Sequence, residues 1–180
     1  TEGDDVVLED GTRFPMLRQQ ADHGDGRPNC SLADYVAPGG GDPDHIGAFA
    51  VTSGLGLDAI ASGYAAEGDD YRAIMVKALA DRLAEAFAEL MHQRIRRDFW
   101  GYAANEDLSN EALIKETYRG IRPAPGYPAC PDLSQQVQLC ELLEPERIGV
   151  ILSDEFQLHP EQSTSAMIVH HPEAKYFNAN

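Results

Sequence analysis

The residues best suited to do chemistry lie in Arg119-Gly-Ile-Arg-Pro-Ala-Pro-Gly-Tyr-Pro-Ala-Cys-Pro131. Four prolines and two glycines in thirteen residues exclude a helix and a central strand. Each proline fixes φ, removes an amide donor and restrains the residue before it. The result is a rigid, irregular loop. Its carbonyls and remaining amides, those of Ala124 and Gly126 among them, are free to face a ligand. Arg122 offers a planar fork for a carboxylate. Tyr127 offers a ring face and a hydroxyl. Composition alone also fits a stiff connector with two ordinary surface arginines.

A second candidate is Glu85, in a segment whose apolar residues recur at helical spacing. Tyr71, Met75, Ala78, Leu79, Leu83, Ala86, Phe87 and Leu90 fill one arc of a helical wheel and predict a helix from about Asp69 to Trp100. That arc is expected to face the core, which leaves Glu85 half-buried at its border. There it either pairs with Arg82, three residues earlier, or faces a cationic ligand. The run His92-Gln-Arg-Ile-Arg-Arg97 is the one basic cluster. It reads as a solvated helix end or as a docking patch for an acidic redox partner through Arg94, Arg96 and Arg97. His159, His170 and His171 lie near Glu155 and Glu161, but strand alternation sends His170 and His171 to opposite faces, so no metal site is expected. No glycine-rich dinucleotide fingerprint, P-loop or signed nucleophile occurs.

The whole chain narrows the classes. Its 180 residues suit one domain. With 14 Lys+Arg against 30 Asp+Glu, the formal charge is −16, which repels nucleic acid and anionic lipid. Cys30, Cys130 and Cys140 make neither a zinc signature nor a disulfide framework, so reduced thiols in a cytoplasmic setting are the expectation. No apolar run approaches the roughly 20 residues that span a bilayer, and no signal peptide opens the chain.

Several elements must position the candidates. Val6-Val-Leu8 and Arg13–Leu17 flank an Asp-Gly turn and predict a hairpin. His23–Asn29 and Ala37–Pro43 read as loops. His45–Thr52 reads as a buried strand. Ser109 is a plausible cap for a helix that ends near Tyr118, and Leu133–Leu143 is a further helix. Gly149–Leu152, Glu155–Leu158 and Ser163–His170 read as strands. Short strands at both ends with a long helix between them predict an α+β fold. Its sheet is bent and mainly antiparallel, with the long helix packed on it.

The segment Arg122 to Pro131 resembles the signature loop of the activation domain of cobalamin-dependent methionine synthase. Asp34–Pro38, Ile46–Thr52, Ile74–Glu89, Trp100–Tyr102, Asn105–Leu113 and His171–Pro172 with Lys175–Tyr176 resemble the same family, in the same order. The resemblance implies a module that binds S-adenosylmethionine (AdoMet) and supports reductive methylation of a cobalamin held by a partner domain. The electron would come from a flavodoxin-like reductase. It further implies AdoMet contacts at Glu85, Arg122, Ala124, Gly126, Tyr127 and Tyr176. Asp81 would face the cobalamin domain. Such a module would be part of a methyltransferase rather than a complete enzyme.

Three departures accompany the resemblance. Residues 1–180 read as one module that lacks the family's N-terminal section, with its AdoMet-contacting aspartate. They also lack its extreme C-terminus. Leu133 stands where the family usually has histidine. The alternative reading is a reduced homologue that docks a corrinoid protein without productive AdoMet binding.

Overall fold

A computed structural model describes residues 1–21, 24 and 26–180. His23 and Asp25, within the loop expected over His23–Asn29, lie outside the described residues.

The hairpin forms as β1 (Asp5–Val7) and β2 (Arg13–Pro15), with Val6 opposite Phe14 and both buried. Leu32–Tyr35 makes a short 3₁₀ turn closed by a reciprocal Ser31–Asp34 capping box. Arg18 donates to both Asp34 and Asp4, and the guanidinium holds the Asp34 carboxyl below its usual range. Next come β3 (Gly47–Thr52), α1 (Leu57–Ala66), α2 (Asp70–Arg94) and the short α3 (Asn110–Ile114). The remainder comprises α4 (Gln136–Leu143), β4 (Ile151–Leu152), β5 (Leu158–His159) and β6 (Ser163–Ile168). The expected antiparallel α+β architecture is present. Among the described residues its strands form three two-stranded antiparallel ladders, β1–β2, β3–β6 and β4–β5, rather than one continuous bent sheet.

The β3–β6 ladder divides the core. It runs from Gly47 opposite Ile168 to Thr52 opposite Ser163. Alternation sends Met167 and Val169 to one side, where they meet Phe14, Leu32, Ile121 and Leu139. Phe49, Val51, Ala166 and Ile168 face the other side, against Ala88, Met91 and Ile95. Each Val, Leu, Ile, Met or Phe side chain among them contributes about 1.5–3 kcal/mol when taken from water.

The long helix corrects the sequence reading. Its buried face is Ala80, Ala84, Ala88 and His92. The large apolar residues point outward: Tyr71 is 72% exposed, Leu79 57% and Leu83 53%, against 6% for Ala84. Met75, Phe87 and Leu90 are exposed as well. Alanines spaced by four let the helix axis approach α1 and the ladder closely, where leucines would hold it away. Periodicity identified the element but mistook which arc is buried. Glu85 is accordingly exposed, beside the alanine face.

Two substitutions separate these faces. Ala84→Leu should cost about 1–3 kcal/mol by overpacking, and Leu83→Gln should change stability by less than about 0.5 kcal/mol. Urea unfolding measures both, and the reverse order would place the helix about 100° away in rotation.

Candidate functional site

The proline loop is placed by a strand edge. Ile121 exchanges backbone hydrogen bonds with Val169 (2.9 and 3.0 Å), and the Met167 amide donates to the Pro123 carbonyl (2.9 Å). The segment before the loop thus lines the edge of β6 that β3 leaves open. Gly120 makes this approach possible: its φ is +83°, and a Cβ there would lie 2.5 Å from the Val169 carbonyl oxygen. Alternation then buries Ile121 in one core and turns Arg122 toward α2.

Two acceptors and the edge of the His92 ring converge on one amino group of Arg122. Its Nη1 donates to Glu89 Oε2 (2.8 Å) and to the Tyr118 hydroxyl (3.1 Å), and lies 3.4 Å from His92 Nδ1. The Arg122 amide donates to the Tyr176 hydroxyl at 2.9 Å. No protein acceptor among the described residues takes Nε or Nη2. Burial raises the Tyr118 and Tyr176 hydroxyls above their ordinary range, so both stay protonated at neutral pH. Behind Tyr118 lies Arg96, which is fully buried. It donates to both Glu106 oxygens (2.8 and 2.7 Å), and its guanidinium carbon sits 4.1 Å from the Tyr118 ring centroid.

In front of Arg122 opens a cavity of about 310 Å³. Glu85, Arg122, Ala124, Tyr127 and Tyr176 all line it, together with Phe49, Glu116, Thr164 and Phe177. Glu85 and Tyr127 are 42 positions apart in sequence, and the fold brings them to one wall system. Charge in the cavity comes from one guanidinium and two carboxylates. The Ala124 amide has no protein acceptor among the described residues, while its carbonyl accepts from Tyr127 (3.2 Å). Such a cavity can bind and orient a zwitterion, and it holds no nucleophile set beside a base.

Other residues named from the sequence lie elsewhere. Gly126 is not in the lining. Its amide, expected to be free, donates to the Cys130 carbonyl at 2.8 Å and closes the turn. Asp81 is exposed one turn before Glu85, outside the cavity. The basic run is not a surface patch as a whole: His92 and Arg96 are fully buried, and Arg94 pairs with Asp98. Helix continuation through a π-turn over Ile95–Phe99 carries Arg96 inward, with the Trp100 amide donating to Ile95. Glu116, Glu89 and Tyr118 escaped the sequence reading. Glu116 takes a positive φ of 52°, a local signal that appears only in coordinates.

His92 yields a pH prediction. Burial, with Arg96 and Arg122 nearby, pushes its imidazole down from 6.5 to about 2. The unfolded chain therefore binds one more proton below pH 6.5. The stability from the neutral ring is full above that pH and declines as pH falls toward 2. Between pH 6 and 5, His92→Gln should flatten the stability curve by about 1.4 kcal/mol per pH unit relative to the parent. Identical slopes in urea titrations would show that His92 titrates as an ordinary histidine.

Comparison with known proteins places this geometry. A family model for the vitamin B12 dependent methionine synthase activation domain matches residues 1–180. The chain is also similar to a crystal structure of the MetH reactivation domain bound to AdoHcy, with a TM-score of 0.93 and 49% sequence identity. That match covers 99% of this chain and 57% of the other, so the chain spans just over half the length of the solved domain's chain. Matched along all its residues and sharing that fold, the chain belongs to the family of vitamin B12 dependent methionine synthase activation domains.

Proposed function

We propose that residues 1–180 bind AdoMet in the cavity before Arg122 and present it for reactivation of a cobalamin carried by a partner module. The observation that carries this reading is the charge inventory of the cavity. AdoMet has one carboxylate and two cationic centres, the ammonium and the sulfonium. The cavity has one guanidinium, Arg122, and two carboxylates, Glu85 and Glu116. Reduced screening in a partly enclosed site strengthens each of these pairings. Tyr127 adds a ring face suited to positive charge. The volume lies at the lower end of the roughly 300–1,000 Å³ of small-molecule sites. A related reactivation domain holding AdoHcy, the demethylated counterpart, supports the same assignment.

In this reading Arg122 grips the methionyl carboxylate through Nε and Nη2. The Ala124 amide supplies a backbone donor, and Tyr176 closes a wall while it fixes the Arg122 main chain. Bound AdoMet would supply an electrophilic methyl group, and a reduced cobalamin on the partner would accept it. The chain's own task is binding and orientation. Asp81, exposed beside Glu85, would face the cobalamin module. Of the basic run, Arg94 and Arg97 remain on the surface to meet a flavodoxin-like electron donor.

Calorimetry with AdoMet at low salt tests the reading. The parent chain should bind. Arg122→Ala should weaken binding by about 1.5–3 kcal/mol, as expected for a lost charge-assisted hydrogen bond. An unchanged isotherm would remove Arg122 from the site. Absence of binding by the parent would favour the module that docks a corrinoid protein without AdoMet.

A further inference from the structure

Glu89 and Tyr118 do not line the cavity, yet both reach the guanidinium that does. Glu89 Oε2 and the Tyr118 hydroxyl accept from the same atom, Arg122 Nη1, at 2.8 and 3.1 Å. The other Glu89 oxygen is buried and has no partner among the described residues. A carboxylate with a spare buried oxygen that spends its one contact on Nη1 adds little as a structural tie, because the unpaired oxygen carries a desolvation cost. Its effect falls instead on the direction of the guanidinium.

We propose that Glu89 and Tyr118 are positioning residues for carboxylate recognition. This rests on the AdoMet reading above. By holding Nη1 from behind, they turn the opposite edge of Arg122, Nε and Nη2, toward the cavity as a bidentate fork. A guanidinium can serve two carboxylates on two edges only if its plane is fixed; Glu89 and Tyr118 hold the plane here, and three further features steady the main chain and the ring behind it. The Arg122 amide is tied to Tyr176, Pro123 follows it in the chain, and the Tyr118 ring lies against the buried Arg96. Two effects of Glu89 oppose each other. Its charge repels a ligand carboxylate, and its contact orients the fork. The half-buried site favours orientation, because a bidentate pair demands geometry that a freely rotating side chain rarely meets.

The test uses two probes that differ at the methionyl end. S-adenosylhomocysteine carries the carboxylate and ammonium, whereas 5′-methylthioadenosine keeps the nucleoside and thioether alone. Calorimetry should show Glu89→Ala weakening S-adenosylhomocysteine by about tenfold or more, the loss expected for a disordered charge-assisted contact. The affinity for 5′-methylthioadenosine should move less than about twofold. Glu89→Gln keeps an acceptor at the same reach and should restore most of the loss. Tyr118→Phe removes the second acceptor without opening a hole, and it serves if Glu89→Ala does not fold. It should weaken S-adenosylhomocysteine selectively as well. Equal losses for both probes would mean a merely structural role, and unchanged or tighter S-adenosylhomocysteine binding would mean that charge repulsion outweighs orientation. Either overturns the proposal while leaving AdoMet binding intact. A parent chain that binds neither probe would overturn the AdoMet reading and this proposal with it.

Discussion

A buried guanidinium organises the site from a distance. Arg96 has no exposure to solvent and is held in two hydrogen bonds by Glu106, itself almost fully buried. Isolated, such a charge would be untenable. Paired, it is a constraint, because losing either partner strands a buried ion at about 3–5 kcal/mol. The pair also joins the π-turn that ends α2 to the loop after it, since Arg96 belongs to one and Glu106 to the other. The face of Arg96 then carries the Tyr118 ring at 4.1 Å, and His92 meets that ring edge-on at 4.9 Å. Position passes from a charge pair to an aromatic ring, and from its hydroxyl to Arg122.

Main chain and side chain of Arg122 are governed by separate devices. The backbone is placed by the open edge of β6, through the bonds of Ile121 and Pro123, and by the Tyr176 hydroxyl. Its guanidinium is placed by α2 and Tyr118. These two devices meet because the β3–β6 ladder packs α2 on one face and the N-terminal hairpin with α4 on the other. A shift of α2 along the ladder would carry Glu85, Glu89 and His92 together. Small alanine contacts on that face limit such a shift, since close-packed backbones leave little free volume.

Legibility in the sequence followed the range of the interaction. The proline loop, the hairpin and the Ser109 cap are local, and residue types alone announce them. Ser109 accepts from the Ala112 amide as its type predicts, although α3 stops at Ile114 instead of reaching Tyr118. Long-range facts were not legible. The wheel of α2 carried both an alanine stripe and a leucine stripe. The large residues mark the outward arc and the alanines the buried one, because the deciding quantity is how near the helix comes to its neighbours. The basic run misled in a similar way: charge suggests solvent, but Arg96 has Glu106 waiting ten residues later. No signal in 53–68 suggested α1, whose cap is a left-handed Gly56 with no side-chain bond. The family resemblance supplied what spacing lacked, naming Tyr176 before any geometry brought it to the cavity of Arg122.

The cavity's charges bear on why so acidic a chain would spend an arginine there. A field of −16 draws cations to the surface everywhere, so attraction to a positive ligand is weakly selective. Discrimination must come from the one anionic group of a ligand, which the same field repels. Arg122 counters that repulsion locally, and on the proposed reading its selectivity rests on fixed direction more than on charge. Glu85 and Glu116 flank it without neutralising it, since neither is paired with it. On the proposed reading, a ligand with a carboxylate and two cations satisfies all three groups, whereas one lacking the carboxylate leaves a half-buried guanidinium edge without a partner. On that reading the penalty, about 1–3 kcal/mol for an unmet polar group and more for a charged one, would make Arg122 and the residues behind it determinants of which ligand the cavity accepts.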